Sequence, residues 1–422
     1  MEKISMKMFP DVLTLARCID SKHNFYAIYE DLSSDNKYSI VVWGYREYIY
    51  GNDEDVFDRV SQIASKQFDG DIDEIGIRLI GYISYDAVRL WERIRDENPY
   101  LEEWPYIEMF IPENIAIYDY SNGKVYIQGI DIDYSSCSTV TTSGFKVSRY
   151  DESPTRKGFE DGVREILRFI REGYAFQVVL SRFIRYTYDG DLIEFYSRLR
   201  SINPSPYMYF MRMGDRYVIG SSPELLFRTS KSFIETFPIA GTRPRGRDIN
   251  EDIALEEELM ASEKDRAEHL MLVDLARNDL GKICIPGSVR VEKLMYIEKY
   301  SHVQHIVSKV IGILRKRVKF KDVVKAMLPA GTVSGAPKPF AMNLIEELEE
   351  FKRGPYAGAV GFIRRSGDSV MAIAIRSAFV YRDLIRIQAG AGIVYDSIPE
   401  LEYEETEHKL RALKIALGVE NA

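Results

Sequence analysis

The sequence predicts an α+β fold, a large and mostly antiparallel sheet flanked by helices. Three observations carry that prediction. IAIYDYSNGKVYIQGI (115–130) sets two alternating apolar runs around Ser-Asn-Gly, a strong hairpin signal. The later strand candidates also follow one another through short turns, which favours antiparallel neighbours over a doubly wound parallel sheet. The length, 422 residues with 45% hydrophobic and 29% charged, suits one large domain or two interleaved ones.

Taken in order, KYSIVVWG (37–44) reads as a strand, and IGIRLIGYISYDAVRLW (75–91) as a strand running on into a helix. YSSCSTVTTS (134–143) is polar, small and β-branched, an exposed connection between a region 1–148 and a region 149–422. The second region opens on a helix with Ser153 as cap and Pro154 in its first position; Phe159, Val163, Ile166, Leu167 and Ile170 form its apolar stripe, and Gly173 ends it. YAFQVVLSRFIRY (174–186) is a strand that puts Gln177, Val179 and Ser181 on one face. RYVIG, LLFR and FIETFPI continue the sheet, with a break at SSPE (221–224). A long helical stretch spans 250–280, and SHVQHIVSKVIGILRK (301–316) reads as another amphipathic helix. The loop PAGTVSGAPKP leads into the helix FAMNLIEELEE; three strands and a C-terminal helix complete the chain. No repeat of solenoid period is present.

A net charge of -9 argues against nucleic acid and anionic membrane as partners. Cys18, Cys137 and Cys284 are scattered and odd in number, so no disulfide framework is expected, in keeping with a reducing cytoplasm. No apolar run approaches the roughly 20 residues of a membrane span.

Within this frame some residues ask for chemistry. Asp265 and Glu268 lie three apart on a helix begun by Ser262, and Glu402 and Glu405 repeat that spacing near the C-terminus. Facing one another, the pairs would suit Mg²⁺; apart, they are solvated helix faces. His302 and His305 are three apart without a zinc pattern around them. GTVSGAPK departs from the phosphate-loop spacing but precedes a helix, and AGAG (389–392) leaves a strand free of side chains. Arg376, inside an apolar strand, needs an anionic partner such as a carboxylate. Glu224, at the SSPE break, is placed to be a partly buried general acid. PIAGTRPRG (238–246) ends a strand in small residues and close-set arginines, either a solvated turn or exposed backbone beside an anion.

Together, GSSPELLF, PIAGTRPRG, AEHLMLVDLARNDLG, YSHVQHIVS, PAGTVSGAPK, RGPYAGAVGF, IRSAF, AGAGIVYDS and ETEHK resemble the chorismate-utilising enzymes, from about residue 150 to the C-terminus. The resemblance implies an antiparallel β-sandwich core wrapped by helices, dependence on Mg²⁺, and chorismate as substrate. It is strongest to the aminating members. Those that add water carry a lysine base where this chain has Gln177, and those that aminate C4 carry a nucleophilic lysine where it has Ala240. The implied reaction is amination at C2 by ammonia, then loss of pyruvate. Glu268 and Glu405 would hold Mg²⁺ with Asp265 and Glu402 in support, Glu224 would protonate the departing hydroxyl, and His305 would assist the second step. Gln177 and Thr242 complete the catalytic set. Gly241, Thr242, Thr332, Tyr356, Arg376, Gly390, Ala391, Gly392 and Lys409 would line the substrate.

In feedback-regulated relatives L-tryptophan sits between an LLES-like strand and NPSPYM. The second motif is present, giving Asn203, Pro206, Tyr207 and Met208, whereas the first reads IYED, with Asp31 in the serine's place. No cysteine has the setting of a glutaminase nucleophile, so the resemblance implies a separate glutamine amidotransferase subunit. An isochorismate or salicylate synthase and a non-catalytic aromatic-acid sensor are the alternatives; Gln177 disfavours the first and the complete carboxylate set the second.

Overall fold

A computed structural model describes residues 1–32, 37–65, 76–129, 133–134, 137, 144–300 and 303–421. Antiparallel ladders link one strand to the next throughout. Phe145–Ser153 pairs with Gln177–Gly190, which pairs with Leu384–Ile393, then Ser377–Tyr381 and Arg216–Ser222. From there the ladder runs through Tyr207–Met213, Phe25–Asp31, Tyr38–Gly51 and Ile107–Asp119. It returns through Ile77–Ile83, Ala359–Arg364, Ser369–Ile373, Leu225–Ser230 and Phe233–Thr236 to a ribbon centred on Val303–Ile313. Strands of the first 148 residues thus bond directly to those beyond.

Side-chain alternation explains how one sheet serves two cores. Ala27, Tyr29, Ile40 and Val42 face the main interior, while Tyr26, Ile28, Val41 and Trp43 face the opposite side, beneath the helices Val12–Asp20, Leu192–Ile202 and Pro399–Leu417. Both faces are therefore buried, as the expected sandwich wrapped by helices requires.

Four local readings change. Val303–Ile313 is a strand, not a helix; Gln304, Ile306, Ser308 and Val310 are buried on one face, a period of two, and Val307 on the other face is buried as well. Gly241 and Thr242 lie within the strand Ile239–Pro244, bulged at Gly241 (φ 68°), instead of in a turn after it. The 250–280 stretch is two helices, Ile249–Ala261 and Glu263–Gly281, parted at Ser262, whose hydroxyl accepts from Asp265 N. The helix Arg156–Arg171 is capped by Thr155, because Ser153 ends a strand and binds Glu350.

The cysteines also differ from expectation. Cys18 and Cys137 form a disulfide across 119 residues, tying the first helix to the connection before residue 144. Most of the 134–143 connection lies outside the described residues. Among the described residues no helix is long and apolar enough to cross a membrane.

Candidate active site

Two paired strands make one wall. Gly390 lies opposite Ser181 and Gly392 opposite Val179. A Cβ on Gly392 would stand 2.4 Å from Gln177 Nε2, and one on Gly390 3.0 Å from the Tyr356 hydroxyl. The glycines therefore leave room for an amide and a phenol on that wall. Gln177 is 3% exposed, and its Oε1 has no hydrogen-bond partner among the described residues. Tyr356 is buried, which pushes its phenol well up from the ordinary value.

Glu224 is buried where the chain passes from one strand to the next, and burial raises its carboxyl to about 7. Thr332 Oγ1 donates to it at 2.7 Å. Thr332 belongs to a loop that doubles as a short ladder: Phe176 N donates to Ala336 O and Val179 N to Ser334 O, each at 2.9 Å. On the opposite side, Lys409 Nζ donates to Gly390 O at 2.8 Å and pairs with Glu405 at 2.6 Å. Ala391 faces the other way, into the helix-covered cluster with Val178 and Leu180, so it contributes backbone to the wall and not its methyl. Arg376 does not lie inside a strand. It sits in the break between Ser369–Ile373 and Ser377–Tyr381 with φ 52°, and its Nη1 donates to Lys409 O at 3.3 Å. Burial lowers its guanidinium, with Glu405 and Tyr356 acting in the opposite sense.

His305 faces Thr242 across the ribbon. Its Nδ1 is 3.0 Å from Gly241 O and 3.1 Å from Thr242 Oγ1. A carbonyl only accepts, so Nδ1 carries the proton and Nε2 is left with a free lone pair. Burial depresses the imidazole and Arg376 adds to that, which keeps the ring neutral and its Nε2 open to a proton. Ala240 pairs with Ile306 on the face toward the helices, opposite to that of His305. The arginines of PIAGTRPRG do not wait for a ligand either: Arg243 binds Glu258 and Asp265, and Arg245 binds Asp252. His302 lies outside the described residues.

The carboxylate pairs come together. Burial raises the Glu268 carboxyl, and the neighbouring charges of Glu405 and Asp265 raise it further; Glu402 is raised by burial and by Glu405. Glu402 Oε2 is buried without a partner among the described residues. Crowded, half-buried oxygens with an orphaned atom among them fit a hard divalent cation. As they stand, no three such groups among the described residues are close enough to form a ready metal cage. Beside Glu268 a cavity of about 740 Å³ separates the 263–281 helix from Ala336, Pro337 and Tyr395.

The expected catalytic, substrate and metal residues therefore share one region, although they come from many separate segments between Gln177 and Lys409. Sequence reasoning missed the brace behind it. Glu349 accepts from Ser181 N and Oγ, and Arg353 bonds Glu349, Val333 O and Val179 O. The only signal was a Glu and an Arg four residues apart at a helix end.

Residues 20–414 match the chorismate binding enzyme family. The chain belongs to that family. It is 54% identical to anthranilate synthase component 1 of Saccharolobus solfataricus over 99% of this chain and all of that one. Anthranilate synthase component I of Streptococcus pneumoniae superposes with a TM-score of 0.80 at 34% identity, over 90% of this chain and 93% of that one. The menaquinone-specific isochorismate synthase of Escherichia coli shares the fold, with a TM-score of 0.77 at 21% identity over 99% of this chain and 94% of that one.

The chorismate-binding chain has a second region of interest, where the strands Phe25–Asp31 and Tyr207–Met213 pair. Register places Asp31 opposite Tyr207 and Glu30 opposite Met208, and Pro206 O accepts from Leu32 N. Asp31 is buried and holds Arg228 at 2.7 Å, and Asn203 Nδ2 is tied to Ser221. The residues expected to hold an inhibitor are thus neighbours, but the carboxylate of Asp31 already has a cation.

Proposed function

We propose that this chain aminates chorismate at C2 with ammonia and then eliminates pyruvate to give anthranilate, as the component 1 of a cytoplasmic anthranilate synthase. The observation that carries the reading is Gln177. Its buried carbonyl oxygen, without a partner among the described residues, can accept an N–H from ammonia and aim the nitrogen lone pair at the ring. An amide cannot deprotonate water, so addition of water is not served by this site.

The remaining roles follow from placement. Arg376 and the Tyr356 hydroxyl hold the enolpyruvyl carboxylate, and Lys409, the glycine backbones at 241 and 390–392 and Thr332 complete the lining. Glu224, whose raised carboxyl keeps a large protonated fraction near neutral pH, donates to the C4 hydroxyl as it leaves as water. In the second step His305 takes the C2 proton on Nε2, with Thr242 and Gly241 fixing its tautomer, while pyruvate departs and the ring becomes aromatic. A Mg²⁺ held by Glu268 and Glu405, with Asp265 and Glu402 in support, would neutralise the ring carboxylate and draw electron density from C2. Ammonia would come from a separate glutamine amidotransferase subunit. The neighbours Asp31, Asn203, Pro206, Tyr207 and Met208 form the proposed L-tryptophan site, with Arg228 competing for Asp31.

The test is Gln177→Lys, assayed by anthranilate fluorescence with chorismate, Mg²⁺ and an ammonium salt. The reading expects wild type to make anthranilate, and the folded variant to lose it by roughly 100-fold or more. A variant that aminates at the wild-type rate would remove Gln177 from the mechanism.

A further inference from the structure

The 263–281 helix carries Asp265 and Glu268 at one end and Asp279 at the other. The loop across the cavity carries Thr332, which binds Glu224, and Gly335–Ala336, which pairs with Val178 and Gln177. Helix and loop are thus the two sides of one opening, with Glu268 on one side and the Glu224 and Gln177 supports on the other. They meet where the loop becomes the helix Lys338–Leu348. There Lys338 Nζ donates to Asp279 Oδ2 at 2.5 Å, and both side chains are nearly buried, at 13% and 8% exposure. Lys282 holds the other oxygen of Asp279 at 3.0 Å, from a much more exposed position. The loop also leans on the helix at Gly331, where a Cβ would lie 2.7 Å from Leu275 Cδ1.

A buried pair of this kind adds little net stability compared with apolar residues of the same size. It does fix geometry, because a short charge-assisted bond tolerates little displacement. Lys338 follows Pro337 directly but is not itself among the residues lining the cavity beside Glu268. Its effect would reach them through the loop backbone.

We propose that Lys338 and Asp279 are positioning residues, a clasp that sets the distance between the helix bearing Glu268 and the loop that supports Glu224 and Gln177. The proposal rests on the aminating reading for its kinetic consequences but not for its structural ones. With the clasp released, the Thr332 loop shifts while Arg376 and Tyr356, which hold the enolpyruvyl carboxylate on the proposed reading, stay. The expectation is therefore a loss in kcat with little change in KM for chorismate. Thr332 also holds the Glu224 carboxyl lower than burial alone would, so weakening that bond moves the alkaline limb of the pH profile upward.

The experiment compares wild type with Lys338→Met, Asp279→Asn and Lys338→Arg, each checked by its melting curve. Expected are a fall in kcat of about 10-fold or more for the first two with KM nearly unchanged, an alkaline limb displaced upward, and substantial rescue by the arginine, which keeps the charge. Hydrogen exchange at the Val179 and Phe176 amides, which donate to the loop, should quicken in the same two variants. If Lys338→Met fails to fold, the isosteric Asp279→Asn carries the comparison. Folded variants with unchanged kcat, pH limb and exchange would overturn the clasp. A wild type that makes no anthranilate would instead overturn the aminating reading, and the exchange rates would still decide the clasp.

Discussion

Glu224 shows how much one residue's surroundings set its chemistry. A carboxyl that ordinarily titrates at 4.5 is held at about 7 by burial, with Thr332 and Lys409 only partly offsetting it. As an acid it must be protonated, so kcat measured at constant free ammonia should fall as pH rises through about 7. Glu224→Gln should abolish that limb and most of the activity. Stability has the same sign. The folded carboxyl binds its proton more tightly than the unfolded one, so its contribution is full below 4.5 and is lost as pH climbs through about 7. Above that range wild type bears the cost of a buried charge, roughly 3 kcal/mol, and Glu224→Gln should melt higher. A variant melting no higher than wild type at pH 8 would show that the carboxyl is not strained by burial. Glu224 was legible in the sequence as a glutamate at a strand break. Its partner Thr332 was named only as lining, because the bond between them spans 108 residues and leaves no local pattern.

At the scale of elements, the decisive arrangement is two helices, Glu263–Gly281 and Pro399–Leu417, that bring their carboxylates together. Each pair was visible as a three-residue spacing, but nothing in either helix says that it faces the other. The prediction is that Mg²⁺ raises the melting temperature of wild type by mass action, and that Glu268→Gln and Glu405→Gln each abolish that rise and slow turnover by orders of magnitude. Equal metal-induced shifts in all three proteins would make these carboxylates a solvated helix face. The Val303–Ile313 strand shows the limit of periodicity. Its apolar run fits both templates over a short window, and β-branched Val and Ile, which favour strands, were the signal that should have arbitrated. The bulge at Gly241 was equally hidden. Its positive φ, with a Cβ position only 3.3 Å from Asp265 Cβ, lets the ribbon approach the Glu263–Gly281 helix, and sequence alone offered just a small residue.

Across the whole molecule, the antiparallel class could be read from hairpins and short turns, whereas the closure of the ladder through strands 280 residues apart, such as Ile77–Ile83 with Ala359–Arg364, could not. The Cys18–Cys137 bridge escaped for the same reason, since an odd cysteine count and wide spacing point away from a bond that only the fold brings within reach. On the proposed reading, the fold assembles a site that aminates chorismate with ammonia. The most direct test supplies chorismate, Mg²⁺ and ¹⁵N-ammonium to the purified chain and identifies the products by mass spectrometry. The account predicts anthranilate carrying one ¹⁵N, equimolar pyruvate, and no product when glutamine replaces ammonium. Isochorismate or salicylate without nitrogen, or an amine at C4, would contradict it.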